Sequence, residues 1–312
     1  MTPALAPTPV LALTGATGFV GSAALDQALA AGWHVRALTR RPQAARDGVT
    51  WVSGALDAPA SLAQLVDGAD VVLHIAGVVS APDLAGFQAG NIDAVQNMLT
   101  ATQQANIRRF IHISSLSARE PALSQYGWSK AQSEDLVKAS ALDWTIIRPP
   151  AVFGPRDTEM LDLFRMAQRG LQLLPPPGRM SGIFVTDLAR LLVTLADDRH
   201  GLSAGAVYEP DDGRSHGWTH REFADAIADA VGKKIWLRLT SNAFLLNNVA
   251  RLDMLFRGKK AKLTRDRAAY IAHPDWVVSN HARPPASLWQ AQTDTNSALR
   301  QTASWYRAEK WM

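Results

Sequence analysis

Tyr126 and Lys130 stand four residues apart, and Ser114-Ser115 lies a short way upstream. On a helix, that spacing sets the phenol and the ammonium on one face. A free phenol has a pKa of about 10 and exchanges protons poorly at neutral pH. A neighbouring ammonium favours the phenolate and brings the group toward the working range. A serine hydroxyl beside the pair would hydrogen-bond a carbonyl oxygen that the phenol protonates. A second constellation, Thr14-Gly15-Ala16-Thr17-Gly18-Phe19-Val20-Gly21, follows the apolar run Val10–Leu13. Gly15 permits a tight turn, Gly18 lets backbone approach a pyrophosphate, and Gly21 allows the following helix to pack closely on the sheet. The helix N-terminus then offers free N–H groups to the phosphates.

These groups need a scaffold, and the first half of the chain reads as one. Short apolar runs at Val10–Leu13, His34–Leu38, Thr50–Val52, Val71–Ile75, Phe110–Ile113 and Trp144–Ile147 predict parallel strands. Helical patterns intervene near Phe19–Ala31, Ala58–Val66, Phe87–Asn106 and Ser124–Ala139. This alternation predicts an α/β, doubly wound parallel (Rossmann) sheet with a smaller C-terminal substrate lobe. The dinucleotide-binding domain is expected over 1–155, completed by about 179–200, with 156–178 and 201–312 forming the lobe. Within these later parts, Met160–Arg169 and Leu188–Ala196 read as helices, and Thr219 and Glu222 have capping-box spacing for a helix reaching about Val231.

Composition excludes several classes. There is no cysteine among the 312 residues, so neither disulfides nor thiolate chemistry operate, in keeping with a cytoplasmic setting. No stretch of about 18 apolar residues appears, and Pro3, Pro7 and Pro9 argue against a signal peptide. His74 and His112 fall on buried-strand patterns without a second ligand at metal-binding spacing, so they read as core residues and no metal is expected. The net charge of +4 is uneven: residues 235–312 hold 12 Lys/Arg against 5 Asp/Glu, and five of the ten tryptophans. Basic plus aromatic content suits an anionic surface. No nucleic-acid-reading motif accompanies it, so no nucleic-acid partner is expected.

With His74-Ile75-Ala76-Gly77, Asn91, Tyr126-Gly127-Trp128-Ser129-Lys130 and Arg148-Pro149-Pro150-Ala151-Val152-Phe153-Gly154-Pro155 added in order, the chain resembles the extended or atypical short-chain dehydrogenases/reductases. This superfamily includes the epimerase/dehydratase, 3β-hydroxysteroid dehydrogenase-like and ceramide-reductase-like enzymes. The resemblance covers about the first 190 residues. It implies Ser115 as catalytic serine (Ser114 the alternative), Tyr126 as general acid/base, and Lys130 as the group that tunes Tyr126 and holds the nicotinamide ribose. It implies a cofactor site drawn from Gly15, Thr17, Gly18, Phe19, Val20, Arg40, Arg41, Leu56, Ala76, Gly77, Asn91, Ser114, Lys130, Pro149 and Val152. Arg40-Arg41 at the end of the second strand, where an NAD enzyme of this type offers an acid, favours the 2′-phosphate of NADP(H) over NAD(H). Ala55 replaces the aspartate usual after the third strand, with Asp57 two residues late, which removes a side-chain contact to adenine.

The reaction implied is hydride transfer between NADP(H) and a ketone/alcohol pair. The largely apolar pattern Ala243–Arg257, followed by Gly258-Lys259-Lys260-Ala261-Lys262, suggests a greasy substrate and a peripheral contact, through about 240–262, with the inner face of a membrane. A keto lipid is therefore expected, most specifically a 3-oxo-sphingolipid or ceramide, or a steroid-like ketone. The alternatives are a nucleotide-sugar epimerase or dehydratase with tightly held NAD, and a non-catalytic NADPH-binding assembly subunit. Homodimerisation through Phe87–Asn106 and Ser124–Ala139 is a further implication of the resemblance.

Overall fold

The computed structural model describes residues 8–198, 201–242 and 265–312. The segment 243–262, on which the apolar-helix and most of the membrane-contact expectation falls, lies outside the described residues. Seven parallel strands form the main sheet: β1 (Val10–Thr14), β2 (His34–Thr39), β3 (Val49–Ser53), β4 (Val71–His74), β5 (Arg109–Ile113), β6 (Asp143–Ile147) and β11 (Ala206–Tyr208). Their order is β11-β6-β5-β4-β1-β2-β3. The order reverses between β1 and β4, which opens a crevice at the carboxyl ends of those strands, where α/β sheets bind ligands.

All six expected strands are present. The seventh, β11, comes from within 201–312, which had been assigned wholly to the lobe. It pairs with β6 from Ala206↔Thr145 to Tyr208↔Ile147. Three residues are too few to show a period, so the pattern was silent there.

Helices cover both faces: α1 (Phe19–Ala30), α2 (Pro59–Val66), α4 (Ala94–Gln104), α5 (Gln125–Ala139) and α7 (Val185–Ala196), while α3 (Leu84–Phe87) leads into α4 and α6 (Leu161–Gln168) belongs to the lobe. On one face α1 and α7 bury Leu25, Leu188, Leu191 and Leu192 against Leu11, Leu13, Val35 and Ile111. On the other, Leu62, Leu65, Met98 and Leu99 pack on Val52, Val72, Phe110 and Ile146. Each such side chain, fully buried, contributes about 1.5–3 kcal/mol. The expected helix Phe87–Asn106 is broken by a π-helical turn at Gln88–Asp93, with consequences for Asn91 described below.

The lobe is built from β7 (Ala151–Phe153), α6, β8 (Leu171–Leu174), β9 (Arg179–Met180), β10 (Gly182–Phe184), β12 (Trp218–Thr219), α8 (His220–Val231), β13 (Leu237–Thr240), α9 (Arg265–Ala272), β14 (Asp275–Trp276) and α10 (Thr295–Ala308). The capping box at α8 forms as expected, Thr219 and Glu222 satisfying each other's backbone N–H. Buried acids tie the lobe to the sheet. Glu209, 2% exposed, pairs with Arg148 and Arg119 and accepts from the Ser279 N–H at 2.9 Å.

His74 and His112 lie opposite each other on β4 and β5, fully buried, with ring centroids 5.7 Å apart. Thr14 Oγ1 contacts His74 Nδ1 at 2.9 Å, and Ser133 Oγ contacts His112 Nε2 at 3.1 Å. Among the described residues no group of three or more His/Cys/Asp/Glu is arranged to hold a metal ion. Burial, then the charge of Lys130, lowers His74 to about 3 and His112 well below its ordinary 6.5. The unfolded chain therefore binds protons that the folded one does not, so stability present above pH 6.5 is lost as pH falls toward 3. His74 should cost about 2 kcal/mol between pH 7 and 5, and His112 adds to the loss in the same direction. Asp157, raised by burial to about 6, acts in the opposite sense but over a smaller span. The expected outcome is a fall in Tm from pH 7 to 5 by thermal unfolding. The fall should shrink markedly in His74→Gln/His112→Gln, and an equal fall in that variant would contradict the assignment.

Candidate active site

The inner face of α5 is polar. Ser129, Lys130, Ser133 and Glu134 are all buried, and each has a named partner. Ser133 Oγ meets His112, and Asn91 Nδ2 donates to Ser129 Oγ at 2.9 Å. Lys130 Nζ donates to the Ile113 carbonyl at the end of β5, 2.7 Å away. Burial pulls the Lys130 ammonium down to about 8, with the Glu134 carboxylate opposing. Burial also pushes Glu134 upward, but the Arg148 guanidinium, the Ser114 hydroxyl and Lys138 outweigh it and hold the carboxyl below its usual range. Arg148 grips Glu134 through two bonds of 2.8 and 2.6 Å.

Ser114 and Ser115 are separated by this network. Ser114 Oγ donates to Glu134 Oε1 at 2.6 Å and is 4% exposed, so its hydroxyl is committed beneath the site. Ser115 faces the other way. It caps the 3-10 turn Leu116–Arg119, accepting from Ser117 N, and its hydroxyl hydrogen-bonds the Tyr126 phenol. Strand register, which sequence could not fix, thus turns Ser114 toward Glu134 and Ser115 toward Tyr126.

Tyr126 differs from expectation in one respect. Burial raises the phenol above its ordinary 10, and the opposing influence is Ser115 rather than Lys130. The ammonium is engaged with the Ile113 carbonyl and Glu134. The phenol is consequently protonated at neutral pH, the state required of a proton donor. Beyond it the wall is apolar: Leu116, Trp276 and Val278, with Leu123, Met180 and Tyr270 packed against them. Tyr270, whose phenol is raised to about 12 by burial and then by Tyr126, was missed in the sequence, because α9 has no motif that points to it.

Asn91 is 1% exposed within the π-helical turn. Its Oδ1 accepts from Val78 N at 2.8 Å while Nδ2 donates to Val78 O and Ser129. It therefore clamps the loop after β4 to α5, next to Lys130. The widened turn brings this side chain inward, as π-turns at functional sites do. Gly77 must be glycine, since a Cβ there would meet Asn91 Oδ1 at 2.8 Å and lie 3.7 Å from Lys130 Nζ.

The dinucleotide elements assemble at the same strand ends. Gly15 has φ +78°, and a Cβ on it would meet Ala76 N at 2.9 Å. A Cβ on Gly21 would lie 1.9 Å from Gly15 O, so Gly21 serves the turn itself rather than the sheet. Helix α1 begins without a side-chain cap or an acid in its first turn, leaving its N–H groups for an anion. Thr17, Gly18 and Phe19 line a cavity of about 360 Å³ together with Gln43, Arg46 and Arg156, three residues the sequence did not single out. Phe19, Val20 and Val152 pack against one cluster. Pro149 O accepts from Leu116 N, and Leu56 O from Asn97, so these two act through backbone. Arg40 and Arg41 project from the end of β2, exposed, and among the described residues neither guanidinium has a partner. The residues present thus fit a nicotinamide dinucleotide.

Comparisons with known proteins agree with this geometry. A family model described as NAD(P)H-binding matches residues 15–199. The chain is 34% identical over 311 residues to a ceramide reductase of Caulobacter vibrioides, covering 97% of this chain and 96% of that protein. It is 27% identical over 256 residues to a UDP-glucose 4-epimerase of Vibrio cholerae, covering 72% and 76%. The structure of MoeE5 in complex with UDP-glucuronic acid and NAD superposes with a TM-score of 0.73 at 21% identity, over 96% of this chain and 99% of that one, which is a likeness of fold.

The two serines provide a test. Ser115→Ala should lower kcat about a hundredfold, as loss of an oxyanion donor does. Ser114→Ala should act mainly on stability, by about 1–3 kcal/mol with a lower Tm, because it removes one of the donors that hold the buried Glu134 carboxylate. Steady-state kinetics and thermal melts distinguish them, and the reverse pattern would contradict the assignment.

Proposed function

The chain belongs to the extended short-chain dehydrogenase/reductase family and carries its NAD(P)H-binding domain, and from that premise we propose an NADPH-dependent ketone reductase acting on a keto lipid. The observation that carries this reading is the convergence at the carboxyl ends of β4 and β5 of the buried Tyr126 phenol, Ser115 and the Lys130 ammonium beside Gly77. The phenol carries the proton that reduction of a carbonyl requires, and the alkoxide that develops on the substrate oxygen, a stronger base than a phenolate, draws it across. Tyr126 donates its proton to the carbonyl oxygen, and Ser115 donates a hydrogen bond to the same oxygen as charge develops there. When bound, the dihydronicotinamide supplies the hydride. Lys130, beside Gly77 and anchored on Ile113, would hold the ribose, and Asn91 keeps that corner rigid.

NADPH rather than NADH is favoured by the free guanidinium groups of Arg40 and Arg41 at the end of β2, which suit a 2′-phosphate. The lipid substrate is favoured by the apolar wall beyond the phenol and by near full-length similarity to a protein named a ceramide reductase. A 3-oxo-sphingolipid or ceramide is the specific substrate proposed. Such a molecule resides in a bilayer, so the enzyme works at a membrane surface. No helix among the described residues is long and apolar enough to cross one.

Purified protein offered NADPH and a 3-oxo-ceramide in detergent micelles should consume NADPH, with kcat/KM at least about tenfold lower for NADH. Tyr126→Phe should lose about a thousandfold in kcat. Turnover of a UDP- or GDP-sugar with tightly retained NAD, and none of keto lipids, would assign an epimerase instead. Equal residual activity in wild type and Tyr126→Phe would assign a non-catalytic role.

A further inference from the structure

The two-stranded sheet formed by β8 and β13 is turned inside out. The strands pair in parallel register, Leu171↔Leu237 and Leu173↔Leu239, so these four leucines share one face. The alternate residues, Gln172 and Arg238, point inward, where Arg238 Nε donates to Gln172 Oε1 at 2.7 Å and both side chains bond Asp225 on α8. The face packed on the protein thus carries this polar network together with buried Leu174, and the face of Leu171, Leu173, Leu237 and Leu239 looks outward. Leu173 is 51% exposed, Leu237 38% and Leu239 55%.

Trp236, next to Leu237 at the start of β13, stands at the edge of the sheet on the side of Gly170. Its ring is 72% exposed yet fixed in place, since Nε1 donates to Arg169 O at 3.0 Å. The indole lies over Gly170, where a Cβ would come within 2.3 Å of the ring. Single exposed leucines need no explanation, but a contiguous set with a pinned indole does.

Two features say what belongs on this face. Lys233 and Lys234, exposed immediately before Trp236, and Arg169 beneath its ring make the border cationic, while Asp225 behind the sheet is paired with Arg238 and Arg221. An apolar cavity of about 110 Å³ also opens beside the patch, lined by Leu171 and Leu173 of the patch and by Leu163 of α6. It runs between α6 and α8 to Met180, which also packs in the cluster beside Tyr270 and Leu116. Leucines, an interfacial tryptophan and a lysine border match the layered polarity of an anionic bilayer surface.

We infer that the β8–β13 leucine face docks on an anionic membrane, with Trp236 at the headgroup level and the adjoining cavity open to a hydrocarbon chain leaving the bilayer. This rests on the keto-lipid reading, whose substrate must be drawn from such a surface. The contact differs from the one expected at 240–262, because it is made by the paired strands β8 and β13 with the residues just before β13.

Flotation with vesicles of phosphatidylcholine alone and with phosphatidylglycerol tests it. Wild-type protein should float with the anionic vesicles. Leu237→Gln/Leu239→Gln should weaken that binding about tenfold or more, and Lys233→Gln/Lys234→Gln about thirtyfold on anionic vesicles only. Neither pair lies in the catalytic site, so reduction of keto lipid in detergent micelles should be unchanged in both variants. Failure of the wild type to float, or unchanged flotation of the leucine variant, would overturn the inference. So would a dimer that dissociates in the leucine variant by light scattering, which would assign the face to a second copy. Absence of keto-lipid reduction in micelles, with flotation intact, would instead overturn the proposed reaction and leave the docking face standing.

Discussion

An ammonium group cannot be buried without acceptors and compensating charge, and the site is organised around that constraint at Lys130. Its Nζ is taken by the Ile113 carbonyl, and the Glu134 carboxylate supplies the opposing charge. Glu134, buried in turn, requires Arg148, Lys138 and Ser114, and Arg148 shares itself with Glu209, whose other contacts reach the lobe. Tyr126, Lys130, Glu134 and Lys138 follow one another at four-residue steps along α5. Neutralising the lysine therefore fixes the rotation of that helix against β5, and the rotation places the phenol beside Ser115.

This arrangement explains which parts were readable in advance. The strands of the first half were legible because buried parallel strands are nearly continuous apolar runs, as in Val71–His74 with all four residues buried. Tyr126 and Lys130 were legible by type and spacing. The face of α5 packed on the sheet carries Ser129, Lys130, Ser133 and Glu134, so hydrophobic periodicity would have called it solvent-facing. The division of labour between Ser114 and Ser115 depends on strand register, a one-residue matter that reverses the face of a side chain. The π-turn at Asn91 was hidden for a related reason, since Phe87–Asn106 keeps a helical composition throughout and only the backbone reveals the extra residue. Which acceptor the Lys130 ammonium takes, the Ile113 carbonyl, was equally hidden, because spacing along a helix does not name it.

The lobe was least legible, and there the same physical rule runs in reverse. Its strands are two to four residues long, too short for a period to show. In β8 and β13 the alternation is clear, but its orientation is opposite to the usual assignment, because the Arg238–Gln172–Asp225 network claims the inner face. Chemistry at the sheet ends and an apolar exterior on the lobe are thus both consequences of where polar groups find partners.

The account turns on the protonation state of one phenol, and the protein has only four tyrosines. Carbon-13 labelling at the tyrosine Cζ, with Tyr126→Phe to identify its signal, allows that group to be titrated directly by NMR in the absence of substrate. The account predicts a midpoint above the ordinary value of about 10, moving higher still in Ser115→Ala because the one opposing hydrogen bond is gone. A midpoint below 10 that is indifferent to Ser115 and rises only when Lys130 is replaced would contradict it.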